Sequence, residues 1–209
     1  MINVLLITFA MSLIYISIAN RMRSYVKILA FQGILLFGVS FIELKEINTV
    51  NLVFILLETI VFKTIAIPLF LNYMIKRNKI TREVVPFLPN FISLIIVTLI
   101  IIVTFLMSNL IEDPHLNKIY FVVALSSLFT GLYIIITRKK IVTHVIGFLI
   151  IENGVFILSL AIGNEMPMLV NSGILLDLLI SVLVLGIFVN KIGDNLKDVD
   201  VEQLQNLRD

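Results

Sequence analysis

Residues 87–110 read FLPNFISLIIVTLIIIVTFLMSNL, a stretch that contains no charged side chain. A helix of roughly 20 apolar residues spans a bilayer core of about 30 Å, so this stretch is long enough to cross a membrane. Strands of a transmembrane barrel would alternate apolar and polar residues at every second position, whereas this run is apolar on all faces. An α-helix pairs its own backbone groups in lipid. The stretch therefore predicts a transmembrane α-helix.

Similar apolar stretches recur along the whole chain of 209 residues, of which 59% are hydrophobic and only 14% are charged. The mean hydropathy is +1.09, far from the composition of a soluble domain. Short polar breaks separate seven such stretches, namely Ile2–Ala19, Ile28–Ile42, Asn51–Ile75, Phe87–Leu110, Ile119–Thr137, Ile141–Gly163 and Met166–Asn190. The sequence predicts an all-α, polytopic integral membrane protein with about seven transmembrane helices in the lipid bilayer.

The basic residues predict how these spans are oriented. Thirteen lysines and arginines follow the first, third, fifth and seventh spans, against two, Lys45 and Lys118, in the opposite loops. Lysine and arginine concentrate on the cytoplasmic side of membrane proteins. We therefore expect the N-terminus outside and the C-terminus in the cytoplasm. The N-terminus lacks a basic region and a small-residue cleavage site, so the first span is expected to be retained rather than removed as a signal peptide.

The first three and the last three predicted helices resemble each other. Ile55-Leu-Leu-Glu58 recurs as Ile174-Leu-Leu-Asp177, and each is preceded by a helix with a polar residue near its middle, Gln32 or Glu152. Four helices separate the copies, so both would have the same orientation, as in a parallel repeat. The alternative is chance similarity between apolar helices. The predicted units are 1–82, a linker helix and loop 83–117, a second unit 118–192 and a cytoplasmic tail 193–209.

Four ionisable side chains fall well inside the predicted spans: Glu58, Lys63, Glu152 and Asp177. A charge at the centre of a membrane helix costs about 2.5 to 3.5 kcal/mol on insertion scales. Glu152 and Asp177 each lie roughly 16 Å from the start of their helix, so they must face one another, Lys63 or internal water. The four residues predict a proton or ion pathway. The alternative is a set of structural ion pairs or neutral, hydrogen-bonded acids.

The spacing within the third predicted helix separates its two charges. Glu58 and Lys63 are five residues apart, about 140° around an α-helix, so we expect them not to pair. Lys63 is instead expected to face a different helix.

Helix six and helix seven carry further candidate residues. Gly147, Gly154 and Ala161 recur every seven residues and predict a small-residue packing seam. Two further residues are candidate proton relays. His144 lies near the inner end of helix six, and Ser181 lies on the same predicted face of helix seven as Asp177. For His144 the simpler interpretation is an interface residue next to the basic loop.

Cysteine and histidine usage restricts the cofactors that this chain could hold. The chain has no cysteine, which excludes disulfides, thiolate-bound iron–sulfur clusters and cysteine-attached haem. Its two histidines, His115 and His144, are predicted on opposite sides of the membrane, so they could not sandwich one haem. We expect no cofactor, metal or catalytic residue in this chain, and nothing in the pattern indicates a nucleic-acid partner.

Two stretches carry a resemblance to a known family. RKKIVTHVIGFLIIENG at 138–154, followed by Gly173-Ile-Leu-Leu-Asp177, resembles component E of hydrogenase-4 and formate hydrogenlyase-type complexes. The C-terminal half is similar to the K subunit of respiratory complex I. That subunit places two membrane glutamates in a charged chain that couples redox chemistry to proton pumping. Asp177 matches the second glutamate, whereas the first falls at Leu149, with Glu152 about one turn further on.

The resemblance implies a membrane subunit of a hydrogen- or formate-linked oxidoreductase complex in a prokaryotic inner membrane. Iron–sulfur clusters and a nickel–iron or molybdenum centre would then lie in partner subunits, and antiporter-like membrane subunits would be neighbours. The alternatives are a subunit of a multi-subunit cation/proton antiporter, whose small C subunit is also like the K subunit but is usually shorter, a stand-alone transporter, or a structural scaffold subunit.

Overall fold

A computed structural model describes residues 1–43, 52–53, 55–77, 87–112 and 116–161. These residues are almost entirely helical, which confirms the predicted all-α class. The third helix, α3, consists of a π-helical segment, Leu56–Ala66, continued by an α-helical segment, Ile67–Arg77. The other helices are α1 (Ile2–Ile18), α2 (Met22–Glu43), α4 (Asn90–Leu110), α5 (Lys118–Thr137) and α6 (Ile141–Ala161).

Five of these helices are long and apolar enough to cross a membrane: α2, α3, α4, α5 and α6. Helix α1 is also apolar but shorter, with 17 residues. The chain is therefore a polytopic α-helical membrane protein, as predicted. The predicted seventh span, Met166–Asn190, lies outside the described residues, and so do Asp177 and Ser181.

Helix α2 differs from its prediction at its start. It begins at Met22 rather than Ile28, so Arg23 and Lys27 belong to its first turns instead of a loop. Both residue types have high helix propensity, and their long side chains can extend towards the membrane surface while the backbone stays helical. The connection to α1 is consequently very short.

Helices α5 and α6 form a tightly packed antiparallel pair because glycines lie where the two backbones meet. A Cβ atom added to Gly131 would lie 2.6 Å from the carbonyl oxygen of Gly147, and one added to Gly154 would lie 2.9 Å from the carbonyl oxygen of Ala124. Only hydrogen fits at such positions. The predicted packing seam on helix six is therefore present at its two glycines.

Two hydrogen bonds establish which helix ends lie together. Nη2 of Arg138, in the α5–α6 connection, donates to the carbonyl oxygen of Ser17 at the end of α1 over 2.7 Å. At the opposite end of the bundle, the Tyr120 hydroxyl donates to Oε2 of Glu43 over 2.8 Å. The connections at 19–21 and 138–140 thus share one end, here called the basic end, as an alternating topology requires.

Candidate functional site: a buried charge cluster

The π-helical segment of α3 brings Glu58 and Lys63 onto one face. Its backbone hydrogen bonds link residues five apart, as in the amide of Ile67, which donates to the carbonyl of Phe62. The side-chain hydroxyl of Thr64 also donates to a carbonyl five residues earlier, that of Thr59, over 2.8 Å. Residues i and i+5 are therefore stacked. Nζ of Lys63 lies 3.9 Å from Oε1 of Glu58. The prediction that these two residues do not pair, made for an α-helix, is wrong for this reason.

Lys63 also reaches across the bundle to helix α6, as the sequence predicted. Its Nζ lies 2.9 Å from Oε1 of Glu152 and 4.7 Å from the ring centroid of Phe156. The side chains of Glu58, Lys63 and Glu152 are only 4% to 8% exposed. We call these three residues the charge cluster. It joins α3 to α6 inside the bundle, and the aromatic face adds a further favourable contact for the ammonium group.

The charge cluster is incomplete in charge and in hydrogen bonding. Two carboxylates face one ammonium group, so full ionisation would leave one negative charge without a counter-ion among the described residues. Nζ of Lys63 contacts Oε1 of Glu152 over 2.9 Å, whereas Oε2 of Glu152 has no hydrogen-bond partner within the described ranges. Buried polar atoms are normally paired, so a proton, a water molecule or a cation would complete this arrangement.

Helix α2 packs closely against α3 next to the charge cluster. A Cβ atom on Gly33 would lie 2.5 Å from Oγ1 of Thr64 and 3.1 Å from its amide nitrogen. The absence of a side chain at Gly33 lets the two backbones approach. This approach fixes the position of α3 at Lys63, the residue before Thr64.

A chain of polar side chains links three helices beside the charge cluster. Nε2 of Gln32 donates to Oγ of Ser12 over 2.8 Å, and Nδ2 of Asn153 donates to Oε1 of Gln32 over 3.2 Å. Ser12, Gln32 and Asn153, here called the polar chain, are all buried. Asn153 directly follows Glu152, so the polar chain and the charge cluster meet on α6. The sequence pattern pointed to Gln32 but not to Ser12, Asn153 or Phe156. An amide next to a glutamate in an apolar run was the available signal for Asn153.

The structure does not bring His144 into the charge cluster. Its ring nitrogen Nε2 donates to the carbonyl oxygen of Arg138 over 2.7 Å. His144 precedes Glu152 by eight residues, about 12 Å along the helix, and therefore lies near the basic end. This position fits the simpler interpretation of an interface residue.

The described ranges hold no group of three or more His, Cys, Asp or Glu side chains that could bind a metal ion. The arrangement that they do hold is one ammonium group between two carboxyl groups. Such an arrangement can bind and transfer a proton when a neighbouring charge changes.

Comparison with known proteins finds similarity over nearly the whole chain. A protein of Mycobacterium tuberculosis described as "Uncharacterized protein Rv0085" is 24% identical over 193 residues, which cover 90% of this chain and 87% of that protein. No family model matches the chain, and no solved structure matches it significantly. The relative is therefore similar in extent as well as in sequence.

Proposed function

We propose that this chain is a membrane subunit of an energy-converting hydrogenase or formate hydrogenlyase-type complex. In this proposal, the charge cluster contributes to redox-coupled translocation of protons, or alternatively of sodium ions, across a prokaryotic inner membrane. The observation that carries the proposal is the 2.9 Å contact between Lys63 and Glu152, with Glu58 on the other side of the lysine. The resemblance of 138–154 to component E supplies the class of complex.

The charge cluster has the chemistry that a proton relay needs. One excess carboxyl group gives the cluster a site that is protonated in one state and ionised in another. A change of charge in a neighbouring subunit would shift the proton between Glu58, Lys63 and Glu152, because charges interact strongly in a low-dielectric interior. The π-helical segment keeps both α3 residues aligned for this exchange. Redox centres would lie in partner subunits.

An excess of acid over base favours this proposal over a purely structural ion pair. A lysine that served only to join α3 and α6 would need one carboxylate as its partner. The second carboxylate adds a desolvation cost that the single ammonium group does not fully offset. Such a cost is expected where an ionisable group has a function.

The experiment compares three variants of the assembled complex in proteoliposomes. Glu152→Gln and Asp177→Asn keep volume and hydrogen bonding but remove the titratable group. We expect complex yield to be retained and proton translocation per redox turnover to fall sharply, because the group that would carry the proton is gone. Glu112→Gln, an exposed acid near the end of α4, is the control and should pump normally.

Two results would contradict the proposal. Unchanged pumping by Glu152→Gln and Asp177→Asn in a well-assembled complex would show that these acids relay no protons. Purification of the tagged chain in mild detergent with antiporter subunits, and without iron–sulfur, nickel or molybdenum subunits, would favour the antiporter alternative.

A further inference from the structure

The outer surface of the α1–α2 pair carries a groove with a volume of about 460 Å³. Lys27 lies at the end of the groove nearest the basic end, together with Tyr15 and Ser24. Lys27 is exposed and makes no ion pair within the described part of the chain. This end of the groove therefore offers an uncompensated positive charge beside two hydroxyl groups.

Deeper along the helices the exposed side chains of the groove are apolar, and the hydroxyl of Thr8, which also lines this part, donates to the carbonyl oxygen of Val4. Lys27 lies about 7 Å from the start of α2 and Phe31 about 13 Å from it, at 1.5 Å per residue. Met11 and Phe31 form exposed apolar walls, at 65% and 44% exposure, while Ser12 and Ile28 lie at the floor and are nearly buried. The polar end thus falls at the depth of lipid headgroups and the apolar part at the depth of acyl chains.

We infer that this groove binds one anionic phospholipid. The phosphate of the headgroup would contact Lys27, with the hydroxyl groups of Tyr15 and Ser24 as hydrogen-bond donors, and one acyl chain would lie along Met11 and Phe31. Basic pockets between transmembrane helices bind anionic headgroups. Arg21 and Arg23, both exposed near the same end, increase the local attraction for negative charge.

The character of the walls favours a lipid over a helix of a partner protein. Helices that pack together in membranes usually meet through small residues, which let the backbones approach. The groove also contains the small residues Thr8, Ser12 and Ser24, but its exposed side chains are the large ones of Met11, Tyr15, Lys27 and Phe31. Its one charged group, Lys27, points to an anionic occupant. The inference does not depend on the proposed function.

The test uses the fact that the chain contains no tryptophan. Phe31→Trp therefore introduces a single tryptophan, which can be excited selectively, into the groove of the full-length protein. The protein is reconstituted in phosphatidylcholine vesicles with increasing fractions of phosphatidylglycerol or phosphatidylcholine that carries bromine on an acyl chain. We expect half-maximal quenching at an about fivefold lower mole fraction of the brominated phosphatidylglycerol, the preference that one lysine near the surface supplies.

Leu99→Trp provides a matched reporter outside the groove. Leu99 is 57% exposed on α4, and it lies as far from the start of α4 as Phe31 lies from the start of α2. At this position both brominated lipids should quench equally. In the Phe31→Trp background, Lys27→Gln should abolish the preference, whereas Lys118→Gln, at the opposite end of the bundle, should keep it.

Three outcomes would overturn the inference. These are equal quenching of Phe31→Trp by the two lipids, a preference that survives Lys27→Gln, or weak quenching by both lipids because a protein helix covers the groove.

Discussion

Lys63 lies between two acids, and the charge balance of the cluster depends on it. Its Nζ lies 2.9 Å from Glu152 and 3.9 Å from Glu58. Removing either acid leaves the lysine with one counter-ion. Removing the lysine leaves two buried carboxyl groups without a counter-ion among the described residues, and breaking a buried pair from one side costs about 3–5 kcal/mol.

We therefore predict that Lys63→Met lowers stability by about 3 kcal/mol or more, although methionine is apolar and similar in length. The loss should be partly recovered in Lys63→Met/Glu152→Gln, because the second change removes the uncompensated carboxyl group. Thermal unfolding in one detergent measures both effects as shifts in Tm. Lys118→Met, at an exposed position, is the control, and a double variant no more stable than Lys63→Met would contradict the electrostatic explanation.

The residues of the charge cluster could be found from the sequence because ionisable side chains are conspicuous in apolar runs. Of the polar chain, only Gln32 could be found from the sequence, since hydroxyl and amide groups are common in membrane helices and can bond locally. Ser12 illustrates this: its hydroxyl donates to the carbonyl of Phe9 over 2.6 Å while it accepts from Gln32. Only the packing of α1 against α2 shows that it also serves a contact between helices.

At the scale of the helices, the apolar runs predicted the helices of the described residues well but not their winding. An α-helix and a π-helix of the same residues have the same composition, and the choice between them depends on contacts with the rest of the bundle. Here the π-helical segment Leu56–Ala66 directs both Glu58 and Lys63 inwards, whereas an α-helix would point one of them away. π-Helical segments occur often at functional sites. A rule based on 3.6 residues per turn could not have predicted this geometry.

The close approach of α2 to α3 leads to a prediction about glycine. Gly33→Ala would place a Cβ atom against the Thr64 backbone, which cannot move independently of α3. We expect destabilisation of about 1–3 kcal/mol, the usual cost of overpacking, together with displacement of the adjacent Lys63. Thermal unfolding in detergent measures the first effect.

Gly38→Ala is the matched control on the same helix. Its Cβ atom would lie 3.1 Å from Cδ1 of Leu5, the end of a side chain that can change rotamer. Equal Tm values for the two alanine variants would show that the α2–α3 approach is not restricted at Gly33.

At the scale of the whole molecule, two helix pairs are closed by equivalent hydrogen bonds. The Tyr25 hydroxyl donates to the carbonyl of Ala19 over 2.9 Å, and Nε2 of His144 donates to that of Arg138 over 2.7 Å. Each bond joins residues that are six apart in the sequence. The number of residues from the first bonded pair to the second equals the number from Glu58 to Asp177. The parallel repeat stays a prediction, and equivalent turns of this kind are what it would produce.

The last prediction concerns orientation, which follows from the basic end. The contact between Arg138 and Ser17 places the connections at 19–21 and 138–140 together, and the excess of basic residues predicts that this end is cytoplasmic. Because the chain has no cysteine, single cysteines can replace Asn20 or Asn78, predicted inside, and Asn117, predicted outside. An impermeant maleimide added to intact cells should label only the Asn117→Cys protein.

Permeabilised cells provide the control, since all three variants should then be labelled. Labelling of Asn20→Cys but not Asn117→Cys in intact cells would reverse the orientation while keeping the fold. Labelling of both would place the two ends of the bundle on one side of the membrane. That result is incompatible with helices α2 and α5 crossing it, because Glu43 and Tyr120 meet at the end opposite Ser17 and Arg138.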